Sequence, residues 1–534
     1  MKFSLSLPRF RKSEILATLM IGFVVIIVLN LFYIQIIRHE YYKQQAYDEQ
    51  VAKFVLPAKR GQIYARESGS IVPLVLNQPV YLAYADPQQI GDKSKLVSTV
   101  ESIAGGNMVD DYKDGLNNKS LRYVVLARQL SNKQAELLKK KNLPGVGLTE
   151  SDRRVYPEGS LAAQLLGYVD SENTGQYGVE GALNDRLKGK DGKLQAVTDV
   201  RRIPLTVSDD DVSIPAKDGD NLVLSIDRNV QAYAESALKT GLKRVNATKG
   251  SVVVMDPNNG QVMAMANYPT YNPSQYGKVT NYGVFQNGIV SEPYEVGSVL
   301  KTLTMGVGLD TGAVSTNTTF NNRGYVQIDD TKISNVEEDP ISANATMTDV
   351  LHYSLNTGVV FILQQMGGGK VNLQARNKLY NYFHDQYRFG KKTGIEQTGE
   401  SGGTIISPKD EQGNNVRYAN MVFGQGMDVT MIQTAAAFGS AINGGTYYKP
   451  TVVAGTTDNG SNLHAAKAKV LKSNILRKNT STTLRDMIVK GRQLGALGGR
   501  DRSGYIVGGK TGTSQVIDPR TGKYTDENSI GSYL

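Results

Sequence analysis

Tyr294-Glu295-Val296-Gly297-Ser298-Val299-Leu300-Lys301-Thr302-Leu303 is the stretch on which the rest of the chain turns. Residues three apart share one face of a helix, so the Lys301 amine can reach the Ser298 hydroxyl. Ser298 follows Gly297 at the predicted start of a helix, where free backbone N–H groups and the helix dipole favour a developing oxyanion. The run stays apolar through Leu303, Met305, Val307 and Leu309, which predicts burial. Desolvation favours the neutral amine that a general base needs. The competing reading is a lysine snorkelling from a core helix.

The rest of the composition leaves few other nucleophiles. The 534 residues contain no Cys, which removes disulfides, thiolate metal sites and a Cys nucleophile. Four histidines, His39, His352, His384 and His464, stand singly, so no His-x-x-x-His metal pair exists. The Gly-x-Ser-x-Gly match at Gly399 to Gly403 lies in a Gly-rich loop and not between a strand and a helix, so it does not support a Ser-His-Asp triad. The net charge of +10 suits an anionic membrane or polymer. The basic residues are interleaved with acidic ones such as Asp209, Asp210 and Asp211, and no basic stripe points to nucleic acid.

Ser-x-x-Lys occurs a second time at Ser236/Lys239, in a helix predicted over Val230 to Leu242 and closed by Gly241. There Lys239-Thr240-Gly241 reads as ordinary C-terminal capping. Ser-x-Asn recurs in the chain, Ser171/Asn173 and Ser354/Asn356 among its occurrences, and Lys-Thr-Gly is found again at Lys392 and Lys510. Lys392 lies in a loop. Lys510-Thr511-Gly512-Thr513 follows a predicted strand at Tyr505 to Val507 and opens another through Ile517, with small residues that leave its edge open to a ligand. A peptide could add along that edge while Lys510 and the threonine hydroxyls hold its carboxylate. Taken in order, Ser298, Ser354 and Lys510 form a set whose context singles it out.

Upstream, Ile15 to Ile37 carries no charge and, at ~1.5 Å per residue, is long enough to cross a bilayer core of about 30 Å. Lys2, Arg9, Arg11 and Lys12 precede it, which predicts residues 1–14 as a cytoplasmic tail, 15–37 as a single anchor and the remainder outside. Residues 50–215 carry alternating strands such as Val80 to Ala85 and an amphipathic, lysine-rich helix near Asn132 to Leu143. The polar segment Asp209 to Asp220 reads as a junction before a second region, 220–534. That region opens with a strand at Leu222 to Ile226 and a hairpin, Ser251 to Asp256 and Gln261 to Asn267, turned by Asn259-Gly260. It then becomes helix-rich, including Thr430 to Ile442. The expected fold is α+β: an antiparallel sheet flanked by helices.

These residues together resemble a class B penicillin-binding protein, a membrane-anchored peptidoglycan D,D-transpeptidase. Arg60-Gly61-Gln62-Ile63-Tyr64, Arg153-Arg154-Val155-Tyr156-Pro157, Leu166-Gly167-Tyr168-Val169 and Gly178-Val179-Glu180-Gly181 resemble motifs of the family's non-catalytic, dimerisation-type pedestal, expected at 50–215. Thr393-Gly394-Ile395 and Gly424-Gln425-Gly426 with Thr430 and Gln433 resemble landmarks of its transpeptidase domain.

The resemblance implies that Ser298 attacks the bond between two terminal D-Ala residues. Lys301 is then the base, Ser354 the proton relay, and Asn356 orients Lys301 and substrate. Ser298 and Thr513 supply the oxyanion hole, and Lys510, Thr511, Gly512 and Thr513 bind substrate or β-lactam. No metal or cofactor is implied. Implied partners are stem peptides, β-lactams, the membrane, a cell-wall polymerase and membrane proteins of the divisome or elongasome, division being favoured over elongation. A β-lactam-sensing receptor and a serine β-lactamase are the alternatives, neither expected to carry the pedestal motifs. Val296 stands where the family has Pro, Gly288 where it has Arg, and Leu355 is an unusual centre for Ser-x-Asn. The chain stops inside a predicted strand, Asn528 to Leu534, which reads as truncation before a further strand and helix.

Overall fold

The computed structural model describes residues 11–197, 212–335, 344–495, 498–517 and 524–534. They form two compact units, Met1–Lys59 with Gly189–Asp218, and Arg60–Lys188 with Gly219–Leu534.

In the first unit the apolar run forms the helix Lys12–Phe32, which widens into a π-turn at Tyr33–Ile37. This is the one helix among the described residues long and apolar enough to span a membrane, and its side chains are exposed. A second helix, His39–Gln50, leads to a three-stranded antiparallel sheet of Val51–Leu56, Gly192–Val197 and Val212–Ile214. The segment expected as a polar junction is therefore partly a strand, because Val212–Ile214 pairs with Lys193–Gln195; Asp209 to Asp211 lie outside the described residues.

The second unit is built on a seven-stranded mixed sheet. Its one parallel pairing joins Ile63–Glu67 to Leu222–Asp227, so strands from both expected regions are hydrogen-bonded neighbours. Ser70–Ala85 continues the sheet and pairs with both Val124–Leu130 and Val146–Val155. Beneath it, Ile63, Ala65, Leu222, Leu224, Ile226, Val262 and Met265 share one core. Three quoted pedestal motifs meet at a buried ion cluster. Glu180 is 0% exposed and takes Arg60 Nη2 at 2.6 Å and Arg154 Nε at 2.7 Å. Asn77 bridges the two arginines, donating to Arg60 O at 2.5 Å and accepting from Arg154 Nη1 at 2.6 Å.

The helix predicted to close at Gly241 instead runs Arg228–Arg244, started by the Asp227 carboxylate accepting from Asn229 and Val230 N–H. It ends at Asn246, whose φ of +54° and whose neighbour's bond, Ala247 N to Leu242 O at 2.9 Å, form the left-handed stop expected of glycine. The expected hairpin forms as Gly250–Met255 and Val262–Tyr268.

A second core gathers the helices Lys301–Asp310, Asn356–Met366, Met431–Ile442 and Lys478–Gln493 through Leu303, Met305, Val359, Ile362, Ala436 and Leu484. The strand expected at Tyr505 to Val507 is absent. Tyr505 and Ile506 are 73% and 85% exposed, and the strand begins only at Thr511. Thr511–Ile517 pairs antiparallel with Tyr524–Tyr533, and Lys510 and Leu534 close the ladder by reciprocal backbone bonds of 2.7 and 3.0 Å. This pair and the hairpin at 250–268 are thus separate two-stranded sheets among the described residues.

Candidate active site

Ser298 lies in a 3₁₀ turn, Gly297–Leu300, that feeds the helix Lys301–Asp310. Ser298 is thus in the 3₁₀ turn and Lys301 is the first residue of the α-helix, with the Lys301 amine bonded to Ser354. Val296, Val299 and Leu300 fill the core and hold the turn, while Ser298 stays half-buried.

Lys301 is 1% exposed. Its amine donates to the Ser354 backbone carbonyl and, at 3.1 Å, to Ser354 Oγ. Burial, reinforced by the positive charge of Lys510, holds the Lys301 amine well below the usual lysine range. A neutral amine can accept a proton, which is the property its proposed role demands. Ser354 sits between the helices Met347–His352 and Asn356–Met366 with φ of +59°. That left-handed conformation is costly for a residue with a side chain, of order 1–3 kcal/mol. Leu355 helps to hold it, being 1% exposed in the core, which accounts for an apolar centre in Ser-x-Asn. The Asn356 amide donates to Ser334 O at 2.9 Å, not to Lys301.

The strand Thr511–Ile517 runs against the nucleophile turn. A Cβ placed on Gly297, whose φ is +63°, would lie 2.5 Å from Thr513 O and 3.2 Å from Thr513 N. The two backbones pass this closely only because Gly297 has no side chain. Gly512 is bound by the same requirement, since a Cβ there would meet Ser532 Oγ at 2.3 Å and Val296 O at 2.9 Å. The Lys-Thr-Gly glycine is therefore what lets strand and turn meet. Thr511 and Thr513 are exposed on the open face, and Lys510 is 6% exposed with its amine on Thr511 O at 3.0 Å. Burial lowers the Lys510 amine to about 8.

Three further contacts hold the turn, two of them from the quoted Gly424-Gln425-Gly426 motif. Gly297 N donates to Gly424 O at 3.1 Å, Gly426 N donates to Glu295 Oε1 at 2.6 Å, and Ser532 Oγ donates to Val296 O at 3.0 Å. Gly424 to Gly426 is thus a strap across the turn. Ser532 could have been singled out by period: Ile530, Ser532 and Leu534 are half-buried and their neighbours exposed.

The rejected motifs have other employment. Ser236 and Lys239 lie on the exposed face of their helix. In the loop copy, Thr393 N and Gly394 N donate to the Glu400 carboxylate at 2.6 and 3.0 Å, so this Lys-Thr-Gly wraps an internal anion.

Residues 250–534 match the penicillin-binding protein transpeptidase domain, and residues 55–224 match the penicillin-binding protein dimerisation domain. The first match spans more than half of the chain, which therefore belongs to the penicillin-binding proteins, in the class B arrangement that joins the two domains. Stage V sporulation protein D of Bacillus subtilis strain 168 is 28% identical over 532 residues, 98% of this chain and 79% of that one. Peptidoglycan D,D-transpeptidase FtsI of Escherichia coli K12 is 29% identical over 384 residues, 70% of this chain and 61% of that one. The crystal structure of penicillin-binding protein 2X from Streptococcus thermophilus shares the fold, with a TM-score of 0.69 at 23% identity over 90% of this chain and 74% of that one.

Proposed function

We propose that the chain is a peptidoglycan D,D-transpeptidase working through an acyl-enzyme at Ser298. The observation that carries this reading is the meeting of three separated segments. The nucleophile turn lies against Thr513, and a buried Lys301 amine sits on Ser354. Lys301 takes the Ser298 proton as the hydroxyl attacks the carbonyl between the terminal D-Ala residues of a stem peptide. Ser298 N and Thr513 N receive the developing oxyanion. The proton passes through Ser354 to the leaving D-Ala amine. An amine of a neighbouring stem then attacks the ester, restoring Ser298 and forming the cross-link. Lys510, Thr511 and Thr513 hold the terminal carboxylate, with Gly512 allowing the approach. Asn356, bonded to Ser334 O in this structure, would reach substrate or Lys301 only by releasing that bond.

The pedestal is assigned to 50–215 and the transpeptidase domain to 220–534. The anchor at 15–37 has its amino terminus in the cytoplasm and the catalytic residues outside. A role in division is favoured by Lys510-Thr511-Gly512-Thr513 and Gly178-Val179-Glu180, with a cell-wall polymerase and divisome membrane proteins as partners.

The test is covalent labelling with a fluorescent penicillin followed by peptide mapping. The adduct should fall on Ser298 alone, vanish in Ser298→Ala and persist in Ser236→Ala. Loss of labelling in a folded Ser236→Ala chain would overturn the choice of nucleophile.

A further inference from the structure

Glu295 is 8% exposed and stands three residues before Ser298. A carboxylate persists in such a place only where bonds offset its lost hydration. No step of the reaction at Ser298 uses this one as acid or base. Its Oε1 accepts from Gly426 N at 2.6 Å. From the other side the Arg417 guanidinium donates Nη1 to Gly426 O at 2.9 Å. Gly426 is thus gripped at both of its backbone groups, by a carboxylate and by a guanidinium. Charge-assisted bonds of this kind are about twice as strong as neutral ones.

The grip matters because the segments it joins have little stiffness of their own. Ser298 follows Gly297, whose φ of +63° lies in a region that glycine enters and leaves freely. Val296 has φ of −77° and ψ of −12°, ordinary values that no ring enforces. The strap is no stiffer, since Gly424 and Gly426 have φ of +87° and +74°. Its two ends are pinned. Val422 O accepts from Thr304 Oγ1 at 2.7 Å, and Val429 pairs with Tyr294 by reciprocal backbone bonds of 3.1 Å. Between those ends the strap meets the turn through Gly424 O on Gly297 N and through Gly426 N on Glu295. Arg417 is a firm support for the second of these. It lies in the first turn of the helix Asn415–Met421, with its N–H on the Asn414 side chain at 2.9 Å.

We propose that Glu295 and Arg417 are positioning residues for Ser298. Together they clamp Gly426, the clamped strap holds Gly297, and Gly297 sets the nucleophile turn against Thr513. Both act through backbone groups rather than on substrate, and the role rests on Ser298 being the nucleophile.

The test is stopped-flow acylation of the full chain in detergent micelles by a fluorescent penicillin over a range of concentrations. This separates the dissociation constant of the first complex from the limiting rate of acylation. Glu295→Met keeps length and removes the acceptor; Arg417→Met removes the donor from a half-buried helix position. Each should lower the limiting rate by at least about tenfold, since misplacement of about 1 Å can cost 10²-fold. The dissociation constant should stay within about twofold of wild type, because the Lys510 to Thr513 strand is untouched. A merely structural role would weaken both together. Glu295→Gln and Arg417→Lys each restore a bonding group and should recover most of the rate. If Glu295→Met does not fold, Arg417→Met decides alone. Wild-type limiting rates in the Met variants, a loss confined to the dissociation constant, or Gln and Lys variants as slow as the Met ones would each overturn the clamp. Mapping the adduct on the same samples keeps the two readings apart. Label on Ser298 at a wild-type rate sinks the clamp alone, whereas label on another residue sinks the choice of nucleophile.

Discussion

At the scale of single residues, the site depends on two lysines of opposite assignment. Lys301 is to be neutral and Lys510 cationic, and burial acts on both in the same direction. The Lys301 amine lies well below the lysine range, because burial and the Lys510 charge both favour its neutral, proton-accepting form. Lys510, lowered to about 8, still carries most of its charge at pH 7 but loses it as pH rises through about 8. The second-order rate of acylation reports groups of the free enzyme. For a carboxylate-bearing penicillin that rate should fall as pH climbs through about 8, because the cation facing the carboxylate disappears. Lys510→Arg keeps a cation beyond pH 12, so its decline should move to higher pH. Stopped-flow acylation from about pH 6 to 10 checks both; a wild-type rate that stays flat across that range would remove Lys510 from carboxylate binding.

At the scale of elements, catalytic geometry comes from backbones that touch. Gly424 crosses above Gly297: a Cβ on Gly424 would lie 2.1 Å from Gly297 O, and its φ is +87°. Gly297→Ala should therefore displace the turn from Thr513 and reduce penicillin acylation by at least about tenfold, since misplacement of about 1 Å can cost 10²-fold. Gly241→Ala is the control. It lies inside a helix with nothing within 4 Å of the new methyl, and should raise stability by about 0.5–1 kcal/mol. Equal acylation by the two variants would contradict the close-approach account. This scale is also where sequence reading succeeded and failed. The hairpin at 250–268 was legible because Asn259-Gly260 is a local signal that names its own geometry. Ser298, Ser354 and Lys510 were singled out because chemistry restricts residue type, and the fold brings their segments together. Tyr505 to Val507 was misread because alternation alone does not supply a pairing partner, and the ladder with the last strand extends only from Lys510 onward. Gly424 to Gly426 stood out as a motif and Ser532 by its period, but that both bond to the nucleophile turn is a contact between segments distant in sequence, which local pattern does not encode.

At the scale of the molecule, the anchor and the buried ion cluster each make a prediction. Beyond the apolar helix, Arg38 lies over the Tyr33 and Tyr41 rings at 5.6 and 5.3 Å, the aromatic and basic pairing expected at a bilayer surface. With a cytoplasmic amino terminus, protease added outside spheroplasts should digest the chain beyond that point; protection of that whole part would reverse the orientation. The ion cluster bears on stability. Arg60, Arg154 and Glu180 come from three separate motifs, and Glu180 has no exposed surface. Two guanidinium groups share one carboxylate, so neutralising that carboxylate leaves two buried positive charges facing each other without compensation. Removing one partner of a buried pair costs about 3–5 kcal/mol, much of it the penalty for the charge left behind. Glu180→Gln keeps size and leaves no cavity, but it deletes the charge and exchanges one acceptor oxygen for an NH2 donor facing a guanidinium, so the loss reports the polar cluster and not packing. Glu158 provides the comparison: its pair with Arg228 is 34% and 33% exposed, where water screens the attraction and the expected loss is about 0–1 kcal/mol. In urea unfolding of the full chain in micelles, Glu180→Gln should shift the free energy by several times the change in Glu158→Gln. If the two shifts were alike, the cluster would have to be open to water or already balanced by another carboxylate, and Asp170, which feels the Arg60 charge, would be the first to substitute.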